Sequence, residues 1–433
     1  MSSFDLPVLT SFNTVTSMDF HPTELIIAVS LIVRGTYTSR DYLIQLLQMQ
    51  PDGTIQAYPN PIAKLPNEYF SRSIGSPVAF SPSGQFLATG DLSNKSDVIL
   101  WQVLPNSPNG LPVSSFTGQT GYINSIAFDP TGRFFATGTV DNTARVWQVR
   151  TDGTPATCLT TLTDHISRVS SVAFSPTGRF LATGSWDNTV KLWCRDTNWT
   201  CIASLDQSIV GGIDGVDSIA FHPTLPLLAV GLANGTVTLW QKQTDDDTKW
   251  NHLKTMTEHE QAVHSVAFHP DGLFLATGSY DRTIKIWMLT NDKSVATCVH
   301  TLFCGGFVNQ IRFHSSGKFM AVVTYEGTFI LYDTSVLIQK RKELLARQGI
   351  SRLLVQRLSN DPTSTDRGLD IRREQKITRE VDAADQSLHV ALLNSREAQA
   401  KAKKNLEKQN QSGTGGRISR KKRKINKRYS YRR

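Results

Sequence analysis

Val-Ala-Phe-Ser-Pro-Thr-Gly-Arg-Phe-Leu-Ala-Thr-Gly-Ser-Trp-Asp-Asn-Thr-Val-Lys-Leu-Trp, residues Val172 to Trp193, decides the fold of this chain. The phrase returns in altered form several times, and the phenylalanine before its turn serves as a ruler. It stands at Phe20, Phe80, Phe128, Phe174, Phe221, Phe268 and Phe313, at intervals of 60, 48, 46, 47, 47 and 45 residues. A period near 45 carrying four short strand-like runs is the signature of a propeller blade. Each copy opens on alternation, as in Val263, Ser265, Val266, Ala267 and Phe268, which suits a half-buried strand. A Pro-x-Gly turn follows at Pro130–Gly132, Pro176–Gly178 and Pro270–Gly272, where proline presets φ and glycine supplies a positive φ. A second strand, Phe180–Gly184 or Phe274–Gly278, leads to a turn holding Asp187 or Asp281. A third ends at Trp101, Trp147, Trp193, Trp240, Trp287 or Tyr332.

These residues resemble the WD-repeat family over roughly Leu6 to Asp333. Two copies place residues at all four positions of the family's polar tetrad: His165, Ser185, Asp187 and Trp193, and again His259, Ser279, Asp281 and Trp287. The resemblance implies a buried hydrogen-bond chain within a blade, so these groups are expected to be structural rather than catalytic. The chain also departs from the family. Its tryptophans are followed by Gln102, Gln148, Cys194, Gln241 and Met288, and only Tyr332-Asp333 keeps the aspartate. The histidine position is Gln119, Gly212 and Cys304 in three copies. The first copy, Met18 to Met49, has no terminal Trp and a polar insertion around Arg34–Arg40. No fourth strand follows Asp333, while a strand-like run, Pro7–Phe12, precedes the first copy. The resemblance implies that this run completes the last blade against Gly327–Tyr332 and removes the open edge.

The expected architecture is all-β, a seven-bladed β-propeller with a C-terminal α-helical and disordered basic extension. The propeller spans 1–333 with its N-terminal strand closing the last blade. A short helix packing on it spans 334–358, a linker 359–369, a charged helix 370–410 and a disordered basic tail 411–433. In the charged helix Ile377, Val381, Ala384, Leu388, Ala391, Ala398, Ala402 and Leu406 form a thin apolar stripe, suited to a solvated helix or to docking on a partner.

Five cysteines (Cys158, Cys194, Cys201, Cys298 and Cys304) with no Cys-x-x-Cys fit a reducing compartment and give no metal-ligand spacing. No apolar leader and no run of 18 apolar residues is present, so neither secretion nor membrane spanning is expected. Charge is distributed unevenly. From Thr334 onward 26 Lys+Arg stand against 10 Asp+Glu, a net of +16. The preceding part has 20 against 27, a net of −7, and the two sum to the overall +9. A mildly acidic propeller carrying a basic tail points to an anionic partner for that tail. The segment Arg417–Arg433 has ten basic residues and no acid. Arg420, Lys421, Lys422, Arg423, Lys424, Lys427 and Arg428 resemble a nuclear import signal. The same run suits a salt-sensitive contact to RNA or DNA, with Tyr429 and Tyr431 able to stack on bases.

In the WD-repeat family partners meet the narrow face at recurrent positions before the turn aspartate and around the start of the first strand. Carried over, these are Tyr122, Asn124, Arg168, Trp186, Asp217, His264, Tyr280, Phe307, Asn309 and Tyr325. Aromatic residues and Arg are the usual interface anchors. No phosphate-binding loop, dinucleotide glycine pattern or nucleophile constellation is found. Gly211-Gly212-Ile213-Asp214-Gly215 lacks the helix and Lys a phosphate cradle needs. The chain is therefore expected to be a non-enzymatic, nuclear interaction scaffold within a multi-subunit complex, without cofactor, metal, small-molecule substrate or membrane. The alternatives are an RNA-binding component of a ribonucleoprotein or RNA-processing complex, and a cytoplasmic scaffold.

Overall fold

The computed structural model of the chain describes residues 13–335 except 35–39, 51–53, 59–60, 68–75, 91–96, 105–106, 151–157, 209–214, 244–245 and 290–295. Seven antiparallel sheets follow one another along these residues, each strand pairing with its neighbours in sequence except the fifth strand of the first sheet, which pairs with the third. Blade 1 holds β1 (Asn13–Phe20), β2 (Ile26–Arg34), β3 (Arg40–Met49), β4 (Ile55–Ala57) and β5 (Ala63–Asn67). Blade 2 holds β6 (Val78–Phe80), β7 (Phe86–Gly90), β8 (Val98–Leu104) and β9 (Ser107–Phe116). Blade 3 holds β10 (Ile123–Phe128), β11 (Phe134–Thr139), β12 (Ala144–Gln148) and β13 (Cys158–Leu162). Blade 4 holds β14 (Val169–Phe174), β15 (Phe180–Ser185), β16 (Thr189–Cys194) and β17 (Thr200–Asp206). Blade 5 holds β18 (Val216–Phe221), β19 (Leu227–Leu232), β20 (Val237–Lys242) and β21 (Trp250–Met256). Blade 6 holds β22 (Val263–Phe268), β23 (Phe274–Ser279), β24 (Thr283–Leu289) and β25 (Ala296–Phe303). Blade 7 holds β26 (Val308–Phe313), β27 (Phe319–Thr324) and β28 (Phe329–Asp333).

The ruler phenylalanine is the last residue of the first strand in all seven blades. The first copy, which lacks the terminal Trp, therefore still forms a blade; Arg34 and Arg40, which bound its polar insertion, pair across β2 and β3. The apolar core consists of layers shared between neighbouring blades. One such layer joins Val190 and Leu192 of blade 4 to Val216, Ile219 and Leu228 of blade 5. Close approach between blades requires glycine at the end of the second strand. A Cβ added at Gly184 would lie 2.6 Å from Cγ1 of Val216.

Polar bonds repeat at the junctions as well. A side-chain oxygen near the start of one first strand accepts a backbone N–H from the next blade. Ser17 takes Val78, Ser125 takes Val172, Ser171 takes Ile219, Ser218 takes Val266 and Ser265 takes Ile311. Gln310 of blade 7 accepts from Met18 of blade 1 at 2.8 Å. That contact closes the ring, together with Asn309 Nδ2 to the Thr16 carbonyl and Ser315 Oγ to the Pro22 carbonyl. Opposite charges also meet across this junction. Burial raises the Asp19 carboxyl, and the Arg312 charge works against the rise.

Pro7–Phe12, expected to complete blade 7, lies outside the described residues. So do the helix, linker, charged helix and tail expected beyond 335. The chain divides between Glu343 and Leu344, and every described residue falls in the first of the two units.

Candidate functional site

The two tetrads form buried networks, with one change from the expected wiring. In blade 4 His165 Nδ1 lies 2.7 Å from Asp187 Oδ2, and its Nε2 lies 2.7 Å from Thr183 Oγ1. The Trp193 indole N–H donates to that same Thr183 oxygen at 2.9 Å. Thr183, not Ser185, is thus the hydroxyl that joins histidine to tryptophan. Ser185 instead donates to the Ser167 carbonyl and accepts the Asp187 backbone N–H, which fastens the turn. Blade 6 repeats the arrangement with His259, Thr277, Asp281 and Trp287, while Ser279 fastens its turn. Burial works to raise the Asp187 and Asp281 carboxyls. The hydrogen bonds from His165 and Thr189, and from His259 and Thr283, outweigh it and hold both well below the usual carboxylate range.

Two blades without histidine keep the network by other means. Gln119 accepts from Thr137, which in turn accepts from Trp147. In blade 5 the expected position, Gly212, lies outside the described residues, and Gln207 supplies the acceptor for Thr238 and Trp240. Thr238 stands directly across the ladder from Val230, so the hydroxyl has moved to the neighbouring strand. Cys304 bonds instead to the Arg282 and Gly306 carbonyls, and burial pushes its thiol up to about 11.

The expected partner-binding residues lie where each first strand begins and where the second strand turns into the third. Backbone bonds join these two places: Val140 to Tyr122, Trp186 to Arg168, Tyr280 to Ala262 and Tyr325 to Phe307. Six first strands carry a β-bulge, at the second residue in five of them (Asn124, Ser170, Asp217, His264 and Asn309) and at Thr16, the fourth residue, in β1. Bulges re-aim a side chain and recur beside functional sites. Asn124, Ser170 and Asn309 use the bulge as a strut, donating to the Val169, Val216 and Thr16 carbonyls of the following blade. Asn124 and Asn309 are thereby occupied in holding the ring.

Asp217 and His264, the bulged residues of blades 5 and 6, face one another, with His264 Nδ1 3.5 Å from Asp217 Oδ2. Trp186 of blade 4 donates its indole N–H to Asp217 Oδ1 at 2.9 Å. It reaches across because blade 5 offers Gly215 below it; a Cβ there would lie 3.1 Å from the Trp186 ring. The Arg168 guanidinium lies 3.5 Å above the same indole. The rings continue over blades 6 and 7: His264 to Tyr280 at 3.9 Å, Tyr280 to Tyr325 at 4.9 Å and Tyr280 to Phe307 at 5.3 Å. Burial raises Asp217 to about 6 against the Trp186 hydrogen bond and the Arg168 charge. Burial, and then the Arg168 charge, lowers His264 to about 4. Burial also raises the Tyr280 and Tyr325 phenols.

Seven of the ten residues therefore form one continuous patch across blades 4 to 7. Trp186 and Tyr325 are its most exposed rings, at 42 and 44 %. Tyr122 is also exposed, at 46 %, on blade 3 and outside that chain of ring contacts. Sequence reasoning missed Arg282, whose guanidinium lies 5.0 Å over Phe307. Its signal was available: Arg282 adopts φ 66° where two other repeats carry Asn142 and Asn188, the residue type that tolerates this region. Glu326, which accepts the Phe307 N–H, was missed as well.

Among the described residues no group of three or more His, Cys, Asp or Glu is placed to hold a metal ion, and no helix is long and apolar enough to cross a membrane. A family model described as WD domain, G-beta repeat matches five segments, residues 110–148, 156–194, 199–241, 250–288 and 296–333. No curated protein matches the chain.

Proposed function

The chain belongs to the WD-repeat family, whose propellers generally serve as protein-interaction scaffolds, and from that premise we propose that it captures a protein or peptide through the face of blades 4 to 7 and performs no catalysis. One observation carries this reading: Arg168, Trp186, Asp217, His264, Tyr280, Phe307 and Tyr325 are brought into a single network at one end of the ring. Half-exposed aromatic rings and arginines packed on a rigid scaffold supply contact area at low entropic cost, which is the composition of interface hot spots. The hydroxyl, imidazole and carboxylate groups of the two tetrads are engaged with each other in buried networks, which supports a structural role for them.

The basic segment Arg417–Arg433 complements this face from the other end of the sequence. Its ten cations with no acid favour nuclear import, and a membership of an assembly that contains nucleic acid. The runner-up, direct RNA binding by the tail, has the same charge in its favour.

Affinity purification of the full chain, with and without nuclease and read by mass spectrometry, tests both. Trp186→Ala with Tyr280→Ala is expected to abolish capture of the nuclease-resistant set while circular dichroism stays unchanged. Undiminished capture would overturn the reading of the face. A protein set that disappears with nuclease, and with removal of Arg417–Arg433, would instead favour the RNA-binding reading.

A further inference from the structure

Asp217 departs from an arrangement that three blades of its fold share. At the same bulge, blades 3, 4 and 7 carry residues that donate a hydrogen bond to the next blade. An ionised carboxylate has no hydrogen to donate, so Asp217 cannot act as the strut of blade 5. Its side chain is 5 % exposed. Oδ1 accepts from Trp186, but Oδ2 is buried with no hydrogen-bond partner among the described residues. The His264 nitrogen at 3.5 Å is too far to satisfy it. Leaving a buried carboxylate oxygen unmatched is costly, and such a group in a native fold calls for a ligand or a counter-charge.

The surroundings specify the sign of that ligand. Trp186 and Tyr280 present rings on either side of blade 5, whose residues at the positions of Arg168 and Trp186 are the small Gly215 and Ala233. Ring faces attract cations, and the chain already places one there, the Arg168 guanidinium over Trp186. His264 is held neutral at physiological pH, so it does not repel a cation; Asp217 is ionised there and only partly offset by Arg168.

We propose that Asp217 Oδ2 is the acceptor for a cationic side chain, an ammonium or guanidinium, of a peptide laid across blades 4 to 6, with Trp186 and Tyr280 flanking it. The inference rests on the reading of this face as the partner site and adds the chemistry of the residue it takes. The indole of Trp186 shifts as the cation enters, because it is bonded to the other oxygen of the same carboxylate.

The test is titration of the full chain with methylammonium chloride and with guanidinium chloride below denaturing concentration. Sodium chloride at matched ionic strength and sodium acetate serve as controls. The readout is the Trp186 indole N–H resonance, assigned with Trp186→Phe. A saturable shift with the organic cations is expected, absent in Asp217→Asn. Lowering the pH from 7 to 5 leaves about a tenth of Asp217 ionised, so the apparent affinity falls about tenfold. No saturation, a shift that survives Asp217→Asn, or saturation by acetate instead would overturn the inference. Partner capture separates this from the broader reading. If Asp217→Asn captures partners as the unaltered chain does while Trp186→Ala with Tyr280→Ala does not, the face stands and the cation site falls.

Discussion

Replacing Thr183 with valine removes one oxygen from the centre of blade 4 with almost no change in shape. That oxygen accepts the Trp193 indole N–H at 2.9 Å and donates to His165 Nε2 at 2.7 Å. With His165 Nδ1–H pointing to Asp187 at 2.7 Å, the chain runs in one direction, from indole to hydroxyl to imidazole to carboxylate. Thr183→Val strands the indole N–H and the imidazole Nε2 together, and Thr183, His165 and Trp193 are all buried. Each stranded buried group costs about 1–3 kcal/mol, so the loss is about 2–6 kcal/mol. Urea unfolding followed by tryptophan fluorescence should show a midpoint lowered by on the order of 1 M. Adding Trp193→Phe to Thr183→Val removes one stranded donor, so the two changes should cost less together than their sum. A Thr183→Val protein within about 1 kcal/mol of the unaltered chain would refute the wiring, since no network dependent on that hydroxyl could lose it so cheaply.

Two further outcomes follow from the junctions between blades. Gly184→Ala puts a methyl 2.6 Å from Val216 Cγ1 and 3.2 Å from Ile219 Cγ2, and should cost about 1–3 kcal/mol by overpacking, measured by the same unfolding assay; a neutral result would mean that blades 4 and 5 are not in close contact there. His21 Nδ1 accepts the Glu24 N–H and His314 Nδ1 accepts the Ser316 N–H, so both fold as neutral rings, and burial lowers both below the ordinary histidine value. The unfolded chain then binds more protons just below pH 6.5, so the stability these rings contribute is complete above that pH and is lost as pH falls. The difference in urea midpoint between the unaltered chain and His21→Gln with His314→Gln should shrink from pH 7 to pH 5.5, and a constant difference would exclude a titrating role.

The repeat was legible because its markers are positional. A phenylalanine closing each first strand and a glycine closing many second strands are set by turn geometry and by contact between blades, and both recur at a nearly fixed spacing. The network hydroxyl was not legible. Thr183 and Ser185 stand two apart on β15 and so face the same side, and alternation cannot say which one an indole on the next strand reaches. The register does: Trp193 pairs with Leu181, from which the indole reaches diagonally to Thr183. Gln207 was hidden for a related reason, because spacing from the following strand pointed to Gly212 while the buried acceptor comes from the end of the preceding one.

The face was half legible, and the half that escaped is the more informative for function. Family positions named Asn124, Asp217, His264 and Asn309 as equals, and they do occupy one register. Their chemistry divides them. Where the bulged residue is Asn124, Ser170 or Asn309, it is used up in tying one blade to the next, and Thr16 donates within its own blade; where it is Asp217 or His264, the tie between blades is replaced by a contact between the two bulged residues themselves. A repeat protein accumulates similar solutions to a similar packing problem, so two neighbouring blades that depart from the shared strut and contact each other instead are where a role beyond packing is to be sought. Gly215 and Arg282 fit the same logic, one clearing space for Trp186 and the other carrying a cation to Phe307 from a backbone conformation that blades 3 and 4 fill with asparagine and blades 5 and 7 with glycine. Asp217, His264, Gly215 and Arg282 all belong to blades 5 and 6, so these four departures from the repeat sit together beside the face proposed as the partner site.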